Sequence, residues 1–322
     1  MISKEDFRDK LRGPVFPVLT PFLEDGSAVD HSALERYVDF LASNSVSAIL
    51  TTVGTSRFNL LSEEEMLAVN ETVTKAAAKR CMVILSGPMT GNTSTNLSFA
   101  AHASKLEADA YIAFFPERYY GNDALFQFYA TLAQKADIGI MIHEMPIRSG
   151  YGGAQQYTLD LLERLTSLPN IFGMKEECMD AGHAHHIHRA LEDTCGIIGA
   201  GSMRLFMRDY HSGGRAYLVG IGSFFPRVAK VFYKAMVGNE TAKAHSIVRT
   251  YEEPYFDLAV SLGWHIALKE TLNILGLMPG FERNPMPRLS KSQREKLRGT
   301  IEDLGWLNLE PAHEPLVAKR EN

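Results

Sequence analysis

Short, continuously apolar runs alternate with longer amphipathic stretches through about the first 230 residues of the chain. The runs are Val15 to Thr20, Ala48 to Thr52, Met82 to Leu85, Ala110 to Phe114, Ile138 to His143, Asn170 to Lys175, Gly196 to Gly199 and Ala216 to Gly220. Each is bounded by turn chemistry, such as Gly13-Pro14 before the first and Leu168-Pro169-Asn170 before the sixth, so each reads as a strand. Their side chains do not alternate apolar with polar. That favours parallel strands buried on both faces over a half-exposed antiparallel sheet.

The stretches between carry helix signals. Asp30 stands as a cap before Leu34, Tyr37, Val38 and Leu41, and Ser62-Glu63-Glu64-Glu65 is a capping box ahead of a helix to about Ala78. Eight strands alternating with helices predict an α/β fold, a (β/α)8 TIM barrel. A doubly wound open sheet competes, but no Gly-rich phosphate fingerprint follows the first strand.

Beyond residue 237 the pattern is only helical, with one helix from about Glu240 to Leu262, another from Trp264 to Leu275, and a third near Ser290 with Gln293 in capping-box position. The expected organisation is a barrel with a short N-terminal helix over 1–236 and a C-terminal helical extension packed on it over 237–322, with a loose polar tail from Glu310.

Composition adds exclusions. The 322 residues carry a net charge of −5, which offers no basic footprint for nucleic acid. No apolar run of about 18 residues suggests a membrane span. The start, Met1 to Asp6, lacks the apolar core of a signal peptide, and Cys81, Cys178 and Cys195 form neither a disulfide framework nor a metal-ligand spacing. A cytoplasmic location with free thiols is expected.

Barrel chemistry collects at the C-terminal ends of the strands. One nucleophile stands there, Lys175, at the end of Asn170-Ile171-Phe172-Gly173-Met174-Lys175-Glu176. An ammonium in apolar surroundings loses hydration, which favours the neutral amine and its attack on a carbonyl. A lysine that simply reaches solvent at the sheet end is the alternative. The other strand-end groups are Thr20, Thr51, Thr52, Gly54, Thr55, Ser56, His143, Arg148, Gly199, Ser202, Gly220 and Ser223, of which His143, Arg148, Thr55, Ser56 and Gly220 are the site candidates.

These residues resemble the dihydrodipicolinate synthase and N-acetylneuraminate lyase family. The resemblance rests on Thr20-Pro21-Phe22 with Asp25-Gly26, on Leu61-Ser62-Glu63-Glu64, on Pro146-Ile147-Arg148-Ser149-Gly150, on the lysine strand itself, and on Asn284-Pro285-Met286-Pro287. It spans roughly residues 13–306. It implies a class I aldolase-type lyase in which Lys175 forms a Schiff base with pyruvate or another 2-oxo acid. It also implies a homotetramer or homodimer and no metal or organic cofactor.

The chain departs from the family pattern in several places. His143 stands where the family has a relay tyrosine, followed by Glu144 where asparagine is common. Histidine titrates near 6.5 and tyrosine near 10, so the change is either an altered acid–base residue or a space-filling one in a silent protein. In place of the family's Gly-Thr-Thr-Gly-Glu loop, the register puts Thr55 and Ser56 in the motif as substrate-carboxylate binders, and Arg57 where glutamate is expected. Arg57 reads best as an exposed or interface charge. Tyr119 or Tyr120 is a candidate for the relay that relatives complete across a subunit interface, and ordinary packing is the alternative. Arg148 keeps the place of a clamp for a carboxylate on the second substrate, or pairs with a nearby acid. Gly220 joins the substrate-binding set.

His183, His185, His186 and His188 share a helix expected on the outside of the barrel, and their spacing is not that of a zinc-hydrolase helix. Cys178 reads as a small buried hydrophobe. The expected function is thus a Schiff-base lyase. The alternative is a silent member that binds a small acid or acts as an oligomeric partner.

Overall fold

The computed structural model describes residues 2–115, 121–145, 157–177, 180–199 and 201–308. Its eight strands are β1 (Gly13–Pro17), β2 (Ala48–Leu50), β3 (Met82–Ser86), β4 (Ala110–Phe114), β5 (Ile140–Glu144), β6 (Ile171–Glu176), β7 (Gly196–Gly199) and β8 (Ala216–Leu218). They pair in parallel, each with the next, and β8 returns to β1 to close a barrel. Every strand of the sequence reading is present, β4 and β7 with the expected bounds and the others with edges moved by one to a few residues. The predicted (β/α)8 barrel is the observed fold.

The helices in chain order are α1 (Lys4–Lys10), α2 (His31–Ser43), α3 (Glu63–Ala77), α4 (Thr93–Lys105), α5 (Asn122–Lys135), α6 (Leu159–Thr166), α7 (Ala181–Leu191), α8 (Met203–Tyr210) and α9 (Pro226–Val237). The extension adds α10 (Thr241–Ile247), α11 (Glu253–Ser261), α12 (Trp264–Ile274) and α13 (Lys291–Asp303). The caps read from sequence are formed: Asp30 accepts from Ala33 N, and both Ser62–Glu65 and Ser290–Gln293 make reciprocal capping boxes. The single helix expected from Glu240 to Leu262 is present as a continuous helical stretch from Thr241 to Ser261, with one change of pitch inside it. A π turn over Val248–Glu252 separates α10 from α11, where Pro254 has no N–H to continue an unbroken α ladder.

Two apolar layers form the core. The barrel interior holds residues such as Val15, Leu50, Ile112, Met141, Phe172 and Ile198, and a larger cluster fills the space between strands and helices. Helix α1 closes the N-terminal end of the barrel, with Phe7 and Leu11 in the interior cluster and the Phe7 ring 5.6 Å from that of Phe172.

One irregularity decides where the lysine points. Ile140 pairs with Ile171 but Met141 pairs with Gly173, so β6 carries one extra residue, Phe172, against β5. Phe172 is interior, and strict alternation would send Lys175, three residues on, to the outer face. The bulge restores the inward phase, and Lys175 comes into register with His143. Gly173 is needed at this point, because a Cβ there would lie 2.3 Å from the Gly196 carbonyl oxygen.

Candidate functional site

Phe114 pairs with His143, His143 with Lys175, and Lys175 with Ile198, so four neighbouring strands present one level of inward side chains at their C-terminal ends. Lys175 is 1% exposed and His143 3%, which rules out a lysine that escapes to solvent at the sheet edge. The Phe114 ring packs at 4.4 Å from the imidazole and supplies an apolar wall.

The ammonium is not alone. Lys175 Nζ donates to Glu177 Oε2 at 2.5 Å, and His143 Nε2 lies 3.5 Å from the same oxygen. One carboxylate, about one-third exposed, therefore touches both the nucleophile and the histidine. Sequence reading passed over Glu177. The usable signal was a second acid directly after Lys175-Glu176, at a strand end where the lysine needs a counter-charge.

The loop after β2 is largely buried and tied into the barrel. Thr20 Oγ1 donates to the Ser56 carbonyl at 2.6 Å, and Ser56 Oγ accepts from Thr52 N at 2.9 Å. Thr55 is 6% exposed and its carbonyl accepts from Arg57. Ser56 is thus a loop-shaping hydroxyl, and the backbone of this loop carries more of any anion-binding capacity than the Ser56 side chain does.

Arg57 corrects the sequence reading of an exposed charge. It is fully buried in a left-handed backbone conformation with φ 60°, and its guanidinium forks onto Glu282 at 2.6 and 3.2 Å while donating to the His265 carbonyl at 2.8 Å. Lys269, also buried, reaches Glu282 at 3.3 Å and the Thr20 carbonyl at 3.1 Å. Burial pushes its pKa down to about 8. A buried guanidinium demands a carboxylate, and the chain supplies it from 225 residues away, beyond any local pattern.

This network fixes α12 over the barrel mouth. The Trp264 ring lies where a Cβ on Gly220 would sit, at 2.8 Å, and His265 meets Gly54 at 3.0 Å in the same sense. Gly220, expected to bind substrate, is therefore first of all the seat of Trp264. His265 feels the charges of Arg57, Glu177, Glu282 and Lys175, and burial, with Arg57 reinforcing it, pushes its pKa down to about 4. Nothing local in the sequence pointed to Trp264 or His265.

Between pH 6.5 and about 4 the unfolded chain binds a proton at His265 that the folded protein does not, so folding stability falls as pH drops through that window. His265→Gln is expected to flatten the loss of thermal stability between pH 6.5 and 4.5. An unchanged slope in a melting series would contradict this environment for the ring.

The histidine-rich helix is less external than expected. His183 Nε2 lies 2.9 Å from Glu144 Oε1, a hydrogen bond that raises the His183 pKa against the opposing effect of burial. Glu144 also accepts from Tyr157 N at 2.7 Å, so this acid organises the outer wall rather than the pocket. His188 is fully buried, and its ligand-type atoms group with those of Glu176 and Asp209 within 4.8 Å. Glu176 follows the inward Lys175 and faces outward, which puts this group behind the barrel wall, apart from Lys175. Arg148, Tyr119, Tyr120 and Cys178 lie outside the described residues.

The sequence profile of the dihydrodipicolinate synthetase family matches residues 10–304. The chain belongs to this family. A 4-hydroxy-tetrahydrodipicolinate synthase of Laribacter hongkongensis is 27% identical over 295 residues, covering 90% of this chain and 98% of the relative. A second, from Archaeoglobus fulgidus, is 26% identical over 295 residues, covering 91% and 98%. Among solved structures, the dihydrodipicolinate synthase from Aquifex aeolicus superposes with a TM-score of 0.82 at 25% identity, covering 91% of this chain and 98% of that one. An N-acetylneuraminate lyase from Fusobacterium nucleatum shares the fold with a TM-score of 0.82 at 18% identity, covering 92% and 99%.

Family membership supports aldolase-type lyase activity for this chain. Among the described residues, no helix is long and apolar enough to cross a membrane.

Proposed function

We propose that the protein is a lyase that forms a Schiff base between Lys175 and pyruvate or another 2-oxo acid, and makes or breaks a carbon–carbon or carbon–oxygen bond next to the imine. The observation that carries this reading is the inward, 1%-exposed Lys175 at the C-terminal end of β6, in register with His143. An amine held at the barrel mouth beside a carboxylate and an imidazole can attack a carbonyl once its proton is taken, and the protonated imine then accepts the electron pair released at the adjacent carbon.

His143 is assigned to proton movement, since a neutral imidazole accepts a proton near pH 7 far more readily than a tyrosine provides a base. Thr55 and Ser56, with the backbone amides of their loop, are assigned to the 2-oxo acid carboxylate. Gly220 stays in the substrate-binding set only by its position after β8, with the Trp264 ring seated against it. The assignments of Arg148 to the second substrate and of Tyr119 or Tyr120 to a relay rest on family resemblance and sequence position alone. The same resemblance motivates a homotetramer or homodimer.

The test need not know the second substrate. A Schiff base with pyruvate opens a path to the enamine, so the methyl protons of pyruvate should exchange with deuterium in buffered D2O. Enzyme-dependent exchange, followed by proton NMR and reduced in His143→Ala, is the expected result. No exchange above the buffer rate, with pyruvate or with longer 2-oxo acids, would favour a silent barrel.

A further inference from the structure

We infer that Glu177 is a catalytic residue of this site, the proton acceptor and donor for imine formation at Lys175, and that with His143 it replaces the tyrosine on which relatives depend. This rests on the Schiff-base reading and adds a residue and a role to it.

Imine formation needs a group that both takes and returns a proton at the lysine. Lys175 must shed a proton before it attacks, and the carbinolamine must gain one before water departs. A single group beside Nζ serves both steps if it can take the first proton and return it. His143 is in register with the lysine, and one atom lies against both groups: Glu177 Oε2, at 2.5 Å from Nζ and 3.5 Å from His143 Nε2. The carboxylate stands just past the end of β6 and is about one-third exposed, so it is neither locked in a buried ion pair nor free of the site. Among the described residues, the titratable groups that face it are Lys175 on β6, His143 on β5 and His265 on α12.

The chemistry balances with these groups alone. The Lys175 ammonium gives a proton to Glu177, and the freed lone pair forms a C–N bond to the substrate C2 while the carbonyl π pair moves to oxygen. A proton passes from the new nitrogen to that oxygen, giving the carbinolamine. Glu177 then protonates the hydroxyl, the C–O bond breaks to release water, and the nitrogen lone pair closes the protonated imine. One ammonium and one ketone become one protonated imine and one water, and Glu177 ends as the carboxylate it was. His143, on the same oxygen, is left to handle protons at the carbon next to the imine.

The experiment follows the build-up of reduced adduct after timed borohydride quenches, with pyruvate as probe, across pH 5.5–9, using Glu177→Gln and Glu177→Ala beside the parent. Glu177→Gln should lower the rate at pH 7 by about 10²-fold, with thermal stability close to the parent's. Formate should partly restore Glu177→Ala, which a merely structural role would not allow. Parent-like rates in Glu177→Gln would overturn the inference and leave the Schiff-base reading standing. Absence of any adduct in the parent would overturn that reading, and the inference with it.

Discussion

Lys175→Met is expected to abolish pyruvate methyl exchange, a fall on the order of 10³-fold or more, while the variant melts within a few degrees of the parent. Methionine nearly reproduces the volume of the lysine stem, and volume-conserving exchanges in a packed interior cost little. Removing the ammonium strands no buried charge either, because its partner Glu177 is about one-third exposed and can be solvated. Activity and stability should therefore separate cleanly at this position. Residual exchange within tenfold of the parent in a folded Lys175→Met protein would move the nucleophile elsewhere.

The largest stability effect is expected at Arg57. Its guanidinium and the Glu282 carboxylate are 0% and 3% exposed, and the pair is bidentate. Breaking such a pair from one side leaves a buried charge with too little compensation, at about 3–5 kcal/mol. Arg57→Met should therefore lower the melting temperature by several degrees and weaken α12's hold on the barrel mouth, where Trp264 and His265 sit. Lys269 also reaches Glu282 and tempers the loss. Combining Arg57→Met with Glu282→Gln should cost clearly less than the sum of the two single changes, since the double variant has no orphaned carboxylate. Additive losses, or a melting temperature unchanged in Arg57→Met, would contradict the role given to this pair.

The barrel was legible because its determinants are local. Continuous apolar runs, bounding turns and side-chain caps such as Asp30 and Ser62 each act within a few residues, and all of them formed. Lys175 was legible for a similar reason, as a charge at the end of a buried run. Its inward direction was not, because it depends on the one-residue bulge at Phe172, which no side-chain pattern in β6 announces. Arg57 was misread because burial of a guanidinium is decided by its partner. Glu282 arrives from beyond α12, and neither its residue type nor its position marks it as a counter-ion. Trp264 and His265 were missed on the same grounds, since a helix of the extension folds back over strand ends far away in sequence. Glu177 differs: it stood two residues from the lysine and needed only the question of what neutralises a buried ammonium.

Whether Lys175 is the group that bonds to substrate is read by reducing the protein with borohydride in the presence of pyruvate, digesting it, and locating the added mass by peptide sequencing. One lactyl-sized adduct per chain is expected, on Lys175, and none in Lys175→Met. An adduct on another lysine, or no adduct with pyruvate or any other 2-oxo acid, would contradict that role for Lys175.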